Sequence, residues 1–415
     1  MRGVDKTVLI SRMGERGDGK VAGSGEALHL PFVLPGEEVV ARLEARGPKL
    51  VSIERASPDR IAPLCAHFGT CGGCKLQHWR HEPYLSWKRE LVVDALAAQG
   101  IEAPVAPIVD AHGAGRRRVS FHARREGERV RTGFMRASSH DLIDIDACPI
   151  LAPALSGAPR LAARLAAILT RSGKPLDIVV TASETGLDVM AKGRGSLPLA
   201  ERQEAVAFAA SEDLARLSNH HEVIVERRAP VIAIGDCRVV PPPGAFLQAT
   251  VQGEAVLAKL VGEALGKANR PPRRIADLFC GVGPFALRLA RAAQLMAVDG
   301  DEAAVAALAK AARHTQGLKP VEAKARDLFR RPLLAAELGE FEAVILDPPR
   351  QGAEAQVWEL ARSKVARIVY VSCSASTFAR DAKTLIAGGY RLDAVMPVDQ
   401  FRFSPHVELV AALAH

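Results

Sequence analysis

Two residues near the carboxyl end have the types that nucleophilic and proton-transfer chemistry require, Cys373 and Glu408. Cys373 sits in residues 368–381, IVYVSCSASTFARD, where Ile368, Val369, Tyr370 and Val371 read as a buried strand. A helix-like segment with Ser/Thr start signals follows. A thiol at the carboxyl end of a strand in an open α/β sheet faces the crevice where such sheets bind ligands. A small apolar residue packed at a strand end is the alternative from this stretch alone. Glu408, in His406-Val407-Glu408-Leu409, opens the last strand and is the candidate base.

Acidic residues at successive strand ends suggest what else the crevice holds. A strand carrying Asp277 runs into the glycine turn Cys280-Gly281-Val282-Gly283, and the next strand ends at Asp299, an acid placed to bind ribose hydroxyls. Pro284 and Phe285 follow Gly283, so the third glycine of a dinucleotide fingerprint is absent. That favours S-adenosylmethionine, a nucleoside without a pyrophosphate. Asp327, ending the third strand, is expected beside the adenine. The fourth strand ends in Asp347-Pro348-Pro349-Arg350. Enzymes that methylate exocyclic amines close such a loop with an aromatic residue, and Arg350 stands there instead. A cysteine, a base and a methyl donor fit methylation at C5 of uracil. A thiolate added at C6 turns C4–C5 into an enolate, C5 attacks the methyl group, and a base removes the C5 proton. A free thiol has a pKa of about 8.5, so this chemistry requires local stabilisation of the thiolate. Cys280 is the other thiol near the cofactor loop.

A second constellation lies upstream. Cys65, Cys71 and Cys74 share one Gly-punctuated loop, with Cys148 in DIDACPI as the candidate fourth ligand. Four thiolates suit a [4Fe–4S] cluster, and zinc is the alternative. Only one CxxC is present where zinc usually takes two, so iron–sulfur is favoured. His67, His78 and His81 lie nearby and are read as surface or packing residues.

The elements that must position these groups follow from the patterning. The chain has 415 residues, 48% apolar and 25% charged, as expected of a globular protein of two or three domains. Residues 1–57 alternate short apolar runs with Gly-rich turns, predicting a small OB-like β-barrel. Residues 58–245 read as an α+β insert carrying the cysteine loop, with a helix over 84–99 and Cys237 as a packed thiol. Residues 246–415 alternate strands and helices, predicting a doubly wound, largely parallel Rossmann-like sheet whose final strand forms an antiparallel edge. Net charge is +8, and eight arginines (116, 117, 118, 124, 125, 129, 131 and 136) lie between Asp110 and Arg136. They predict either an RNA- or DNA-binding segment or a solvated basic hairpin. Seven cysteines, no apolar signal-peptide core at the start and no window of membrane-spanning length predict a cytoplasmic protein with reduced thiols and no membrane contact.

Together, Cys65, Cys71, Cys74 and Cys148, then FLQ at 246–248, DLFCGVG, DPPRQG, VSCSASTFARD and HVELV, in this order, resemble the RNA uracil-5-methyltransferases. Within that group the chain is similar to the iron–sulfur 23S rRNA branch, whose amino-terminal barrel is the RNA-binding TRAM domain. The resemblance implies Gln248, Phe279, Asp299, Asp327 and Asp347 as S-adenosylmethionine contacts, Cys373 as nucleophile and Glu408 as base. It implies 23S rRNA as partner, with the tRNA T-loop as the alternative, and a monomer. Two positions depart from the family. Pro284 stands where Asn is frequent, and Phe401-Arg402-Phe403-Ser404-Pro405 replaces an FPHT-like stretch. Three further readings are weighed, and one of them, a redox iron–sulfur protein, is disfavoured by a single cluster loop without a flavin or second-cluster motif. A cytosine-5 methyltransferase would carry a second cysteine where Arg350 stands. A non-catalytic RNA-binding protein would not need both Cys373 and Glu408.

Overall fold

The structure, a computed structural model, describes residues 4–23, 28–44, 47–137, 139–267 and 270–415. Near the amino terminus, five antiparallel strands lie in the order His29–Leu30, Gly19–Val21, Val4–Met13, Glu38–Glu44, Gly47–Arg55. The two edge strands come into contact, so the sheet curls toward a barrel. Side chains alternate as a pleated strand requires: Val8 and Ile10 point into a core with Leu30, Val33 and Val39, while Thr7 and Leu9 face out.

A seven-stranded sheet follows, ordered Glu222–Glu226, Arg216–Asn219, Gly186–Lys192, Leu176–Ser183, Arg118–Glu126, Arg129–Met135, Leu142–Asp144. Helices Ala158–Leu169 and Leu199–Ser211 supply Leu161, Leu165, Leu169 and Phe208 to its core.

The carboxyl-terminal sheet has eight strands in the order Val321–Ala325, Gln294–Asp299, Arg274–Leu278, Ala343–Leu346, Arg367–Ser372, Glu408–Ala414, Arg391–Asp399, Val109–Asp110. The first five are parallel, and Glu408–Ala414 runs antiparallel to both of its neighbours. Apolar cores cover both faces, as a doubly wound sheet demands. The final strand is antiparallel but not an edge. Its sequence ELVAALA is buried from Glu408 to Leu413, and Arg391–Asp399 closes it on the outside. A run with no polar alternation reads as a strand covered on both faces, which leaves its neighbours in the sheet open. Helix His81–Ala97 also belongs to this body, burying Val92 and Leu96 against it. None of the described helices is long and apolar enough to cross a membrane.

Candidate active site

Strand order reverses between Arg274–Leu278 and Ala343–Leu346, because successive crossovers leave in opposite directions from there. Loops at such a switch point diverge and leave a crevice. The cleft there measures about 530 Å³, and Gln248, Phe279, Asp299, Asp327, Asp347, Cys373 and Glu408 all line it. All seven residues singled out for catalysis or cofactor contact therefore meet at one place.

The glycine turn is built by close approach. Phe279 adopts φ +64°, a strained value for an aromatic residue, and its N–H and that of Cys280 both donate to the Val298 carbonyl. The Phe279 ring packs against Phe329 at 5.3 Å. At Gly283, φ is +89° and a Cβ would come within 2.6 Å of Leu308, so only glycine fits. Asp299 ties the turn to the second strand by accepting the Gly281 N–H at 2.9 Å. Asp327 accepts the N–H groups of Phe329 and Arg330 and so shapes the next loop. Pro284 lines the cleft.

The reacting groups come from neighbouring strands. Cys373 directly follows Arg367–Ser372, and Ser374 caps the helix Ala375–Ala387 by accepting the Thr377 N–H. Ser372 is paired with Leu409, which sets Glu408 opposite the end of the cysteine strand. The loop after Asp347 is held from below: Asp381 Oδ2 accepts both the Tyr370 hydroxyl at 2.6 Å and the Ala353 N–H at 2.9 Å.

Electrostatics here are dominated by burial. Burial pushes the Glu408 carboxyl up to about 7, although a hydrogen bond from Gln400 and the Arg350 charge pull it down. Asp347 is driven well above the usual carboxylate range by burial and then by the Glu408 charge. The Cys373 thiol rises to about 11, through burial first and the Glu408 charge second, while Arg350 opposes the shift. Two cleft-floor carboxyls thus repel a thiolate that one arginine favours. Gln248 donates to Asp347 at 3.2 Å, and Gln400 donates to Gln248 at 2.8 Å and to Glu408 at 3.0 Å. Sequence reasoning passed over Gln400, because a glutamine after a strand carries no chemical signal of its own.

The upstream cysteines also meet. Cys65, Cys71, Cys74 and Cys148 all line a second cavity of about 210 Å³, with Gln77 and Arg116. All four are free thiols. Among the described residues, no three His, Cys, Asp or Glu side chains stand close enough to hold a single metal ion. His67 lines the same cavity and pairs with Asp146 at 3.0 Å; His81 pairs with Asp110 at 3.0 Å; His78 is buried against Phe68.

The start of the arginine segment turns inward, whereas Arg129 and Arg136 are exposed. Arg117 is buried, bonded to the Gln248 carbonyl and ion-paired with Glu254. Arg118 donates to the Ala245 and Gly244 carbonyls. Arg116 lies between the cysteine cavity and the Phe401 ring, 5.8 Å from its centroid. Arg124 pairs with Glu126, Arg129 and Arg131 pair with Asp144, and Arg125 caps carbonyls of helix Ala158–Leu169 and its end. The segment is expected to be either nucleic-acid-binding or a solvated hairpin, and two of its first arginines, Arg117 and Arg118, instead donate to carbonyls inside the protein. Arg116, Arg117 and Arg118 tie the start of the seven-stranded sheet to the cleft and the cysteine cavity.

Comparison with known proteins agrees with this geometry. Residues 242–415 match the family model described as tRNA (Uracil-5-)-methyltransferase. An uncharacterized RNA methyltransferase of Brucella suis is 47% identical over 98% of this chain and 97% of its own length. The 23S rRNA (uracil(1939)-C(5))-methyltransferase RlmD of Halomonas elongata is 34% identical over 94% of this chain and 85% of its own. Among solved structures, the tRNA (uracil-54, C5)-methyltransferase of Pyrococcus abyssi, in complex with S-adenosyl-L-homocysteine, has the same fold. Its TM-score is 0.73 at 24% identity, covering 99% of this chain and 100% of that one. The chain belongs to the RNA uracil-5-methyltransferase family.

Proposed function

We propose that the chain methylates C5 of a uridine in RNA through a covalent adduct between Cys373 and C6. The observation that carries this reading is the convergence of Cys373, Glu408 and Asp347 on one cleft floor beside the acid-lined loops. Gln248, Phe279, Asp299, Asp327 and Asp347 would hold S-adenosylmethionine, which supplies an electrophilic methyl group when bound. The donor set fits it: carboxylates at two strand ends for ribose hydroxyls and base edge, and Phe279 for the face of a ring. The Cys373 thiolate adds to C6, and the displaced electron pair passes to C5 and O4 as an enolate. C5 takes the methyl group. Glu408 then removes the C5 proton, the C5=C6 bond reforms and the thiolate leaves. Arg350 supports the thiolate between steps.

RNA carrying 5-fluorouridine tests the order of events. Fluorine cannot leave as a cation, so the methylated adduct should persist as a protein–RNA band in denaturing gels. Cys373→Ala should abolish adduct and product. An adduct that survives that change would move the nucleophile to Cys280.

Within the same reading the substrate is 23S rRNA, met in the cytoplasm by a monomer. The Halomonas relative and the four cysteines support it, as does the amino-terminal barrel, read as a TRAM-like RNA-binding module. Mapping 5-methyluridine in rRNA and tRNA from a deletion strain tests it; loss confined to the tRNA T-loop would reverse the assignment. Cys65, Cys71, Cys74 and Cys148 would hold a [4Fe–4S] cluster in a structural role. A single zinc draws its sulfurs to about 2.3 Å, whereas an iron–sulfur cube needs thiolates spread around a void, which suits the cavity they line.

A further inference from the structure

Gln400 is fully buried beneath the cleft, and each polar group of its side chain has a partner there. The Ala249 backbone N–H donates to Gln400 Oε1 at 3.1 Å. A peptide N–H can only donate, so this contact decides which end of the amide faces which way. The nitrogen must then face Gln248 and Glu408, and its two hydrogens go to Gln248 Oε1 at 2.8 Å and Glu408 Oε2 at 3.0 Å. With its oxygen taken, Gln248 turns its own nitrogen to Asp347 Oδ2 at 3.2 Å. One backbone amide thereby fixes the direction of a hydrogen-bond chain that ends on two carboxyls.

Packing keeps Gln400 in place. A Cβ on Gly253 would come within 2.5 Å of Gln400 Oε1, so the helix Val251–Gly266 presses bare backbone against the amide. The preceding residue, Asp399, is locked by Lys88 at 2.6 Å and by the Tyr84 hydroxyl at 2.8 Å.

We propose that Gln400 is a positioning residue for proton abstraction: it ties one Glu408 oxygen and aims the other at the C5 proton. The proposal rests on Glu408 being the base. In that step the C5–H electron pair forms the C5=C6 bond, the thiolate of Cys373 leaves, and the proton passes to the free Glu408 oxygen. The titratable and charged groups that face Glu408 are Asp347 and Arg350, from the loop after Ala343–Leu346, and Cys373. Gln400 contributes the hydrogen bond that favours the carboxylate among them.

The test is the rate at which the methylated adduct resolves to product in single turnovers of a uridine-containing RNA, as a function of pH, with Gln400→Met, which keeps length and removes both donors. The rising limb of the profile should move up by about one pH unit, giving roughly a fivefold loss at pH 7 and recovery by about pH 9. Adduct formation with 5-fluorouridine RNA should stay within about twofold, because addition precedes the base step. A limb that coincides with wild type would overturn the proposal, as would equal loss of adduct and product at every pH. Should Gln400→Met fail to fold, Gln400→Glu keeps the shape and sets a second acid against Glu408. Its limb should also rise, and an unmoved limb again refutes the contact. Glu408→Gln is run alongside. If it turns over normally, the base assignment itself fails; if it stalls at the adduct while Gln400→Met leaves the limb unmoved, only the role of Gln400 fails.

Discussion

At the scale of single residues the site is built from groups held away from their ordinary protonation states. Glu408 has its carboxyl near 7 because burial outweighs the Gln400 hydrogen bond and the Arg350 charge. A base works deprotonated, so resolution of the methylated adduct to product should rise with pH through about 7 and fall about tenfold per unit below it. The same shift has a stability consequence of opposite direction. The folded pKa lies above the unfolded value, so the folded state holds the proton more tightly. Stability is fully present below about 4.5 and is lost as pH rises toward 7. Asp277, buried and raised to about 7, acts the same way. Glu408→Gln removes the ionisation, so at pH 8 it should raise Tm by several degrees, on the order of 1–3 kcal/mol, while product formation falls. A Tm gain equally large at pH 4 would show that the effect is not ionisation. Cys373 and Glu408 were legible in the sequence because catalysis restricts residue type. Gln400 was not, because its role depends on an amide 151 positions away in the chain.

At the scale of elements, the segment between the last two strands carries the site. Asp399 meets Lys88 and Tyr84 from helix His81–Ala97, and Lys88 also donates to the Phe401 carbonyl at 3.1 Å. Phe403, at φ +63°, offers its carbonyl to the N–H groups of Lys75 and Leu76, just past the cysteine loop. The left-handed turn is therefore held from both sides. Removing one partner of a buried ion pair leaves an unpaired charge, which costs about 3–5 kcal/mol. Lys88→Met and Asp399→Asn should each lose about that much in urea unfolding, and Lys88→Met/Asp399→Asn much less than the sum. Additive losses would mean that the two groups do not act as a pair. None of this shows in the sequence, where Lys88 in YLSWKREL reads as an ordinary solvated helix residue. The carboxyl-terminal alternation of strands and helices was legible, since periodicity is local. The inward place of the last strand was not, because neighbour choice in a sheet is settled by distant residues.

At the scale of the whole molecule, the cysteine cavity sits where the three sheets are tied together. Lys75, next to Cys74, donates to the Arg16 carbonyl at 2.9 Å in the amino-terminal barrel. Its own backbone holds Phe403. Cys148 follows the edge strand Leu142–Asp144 of the middle sheet. Arg116 reaches from the cavity to Phe401 at the cleft. The arginine run looked like an RNA face in the sequence because charge alone does not reveal which carbonyls and carboxylates fold back upon it. Its first three members, Arg116, Arg117 and Arg118, brace this junction. A group bound by all four thiolates would close a loop of more than seventy residues between Cys74 and Cys148, and its binding free energy would add to folding. Anaerobic purification should give a brown protein with about four irons per chain. Cys148→Ser should lose most of the iron and lower Tm markedly, and the 5-fluorouridine adduct should weaken because the Phe403 turn loses its outer support. Stoichiometric zinc without iron would reject the cluster. Full iron in Cys148→Ser would show instead that the fourth ligand comes from elsewhere.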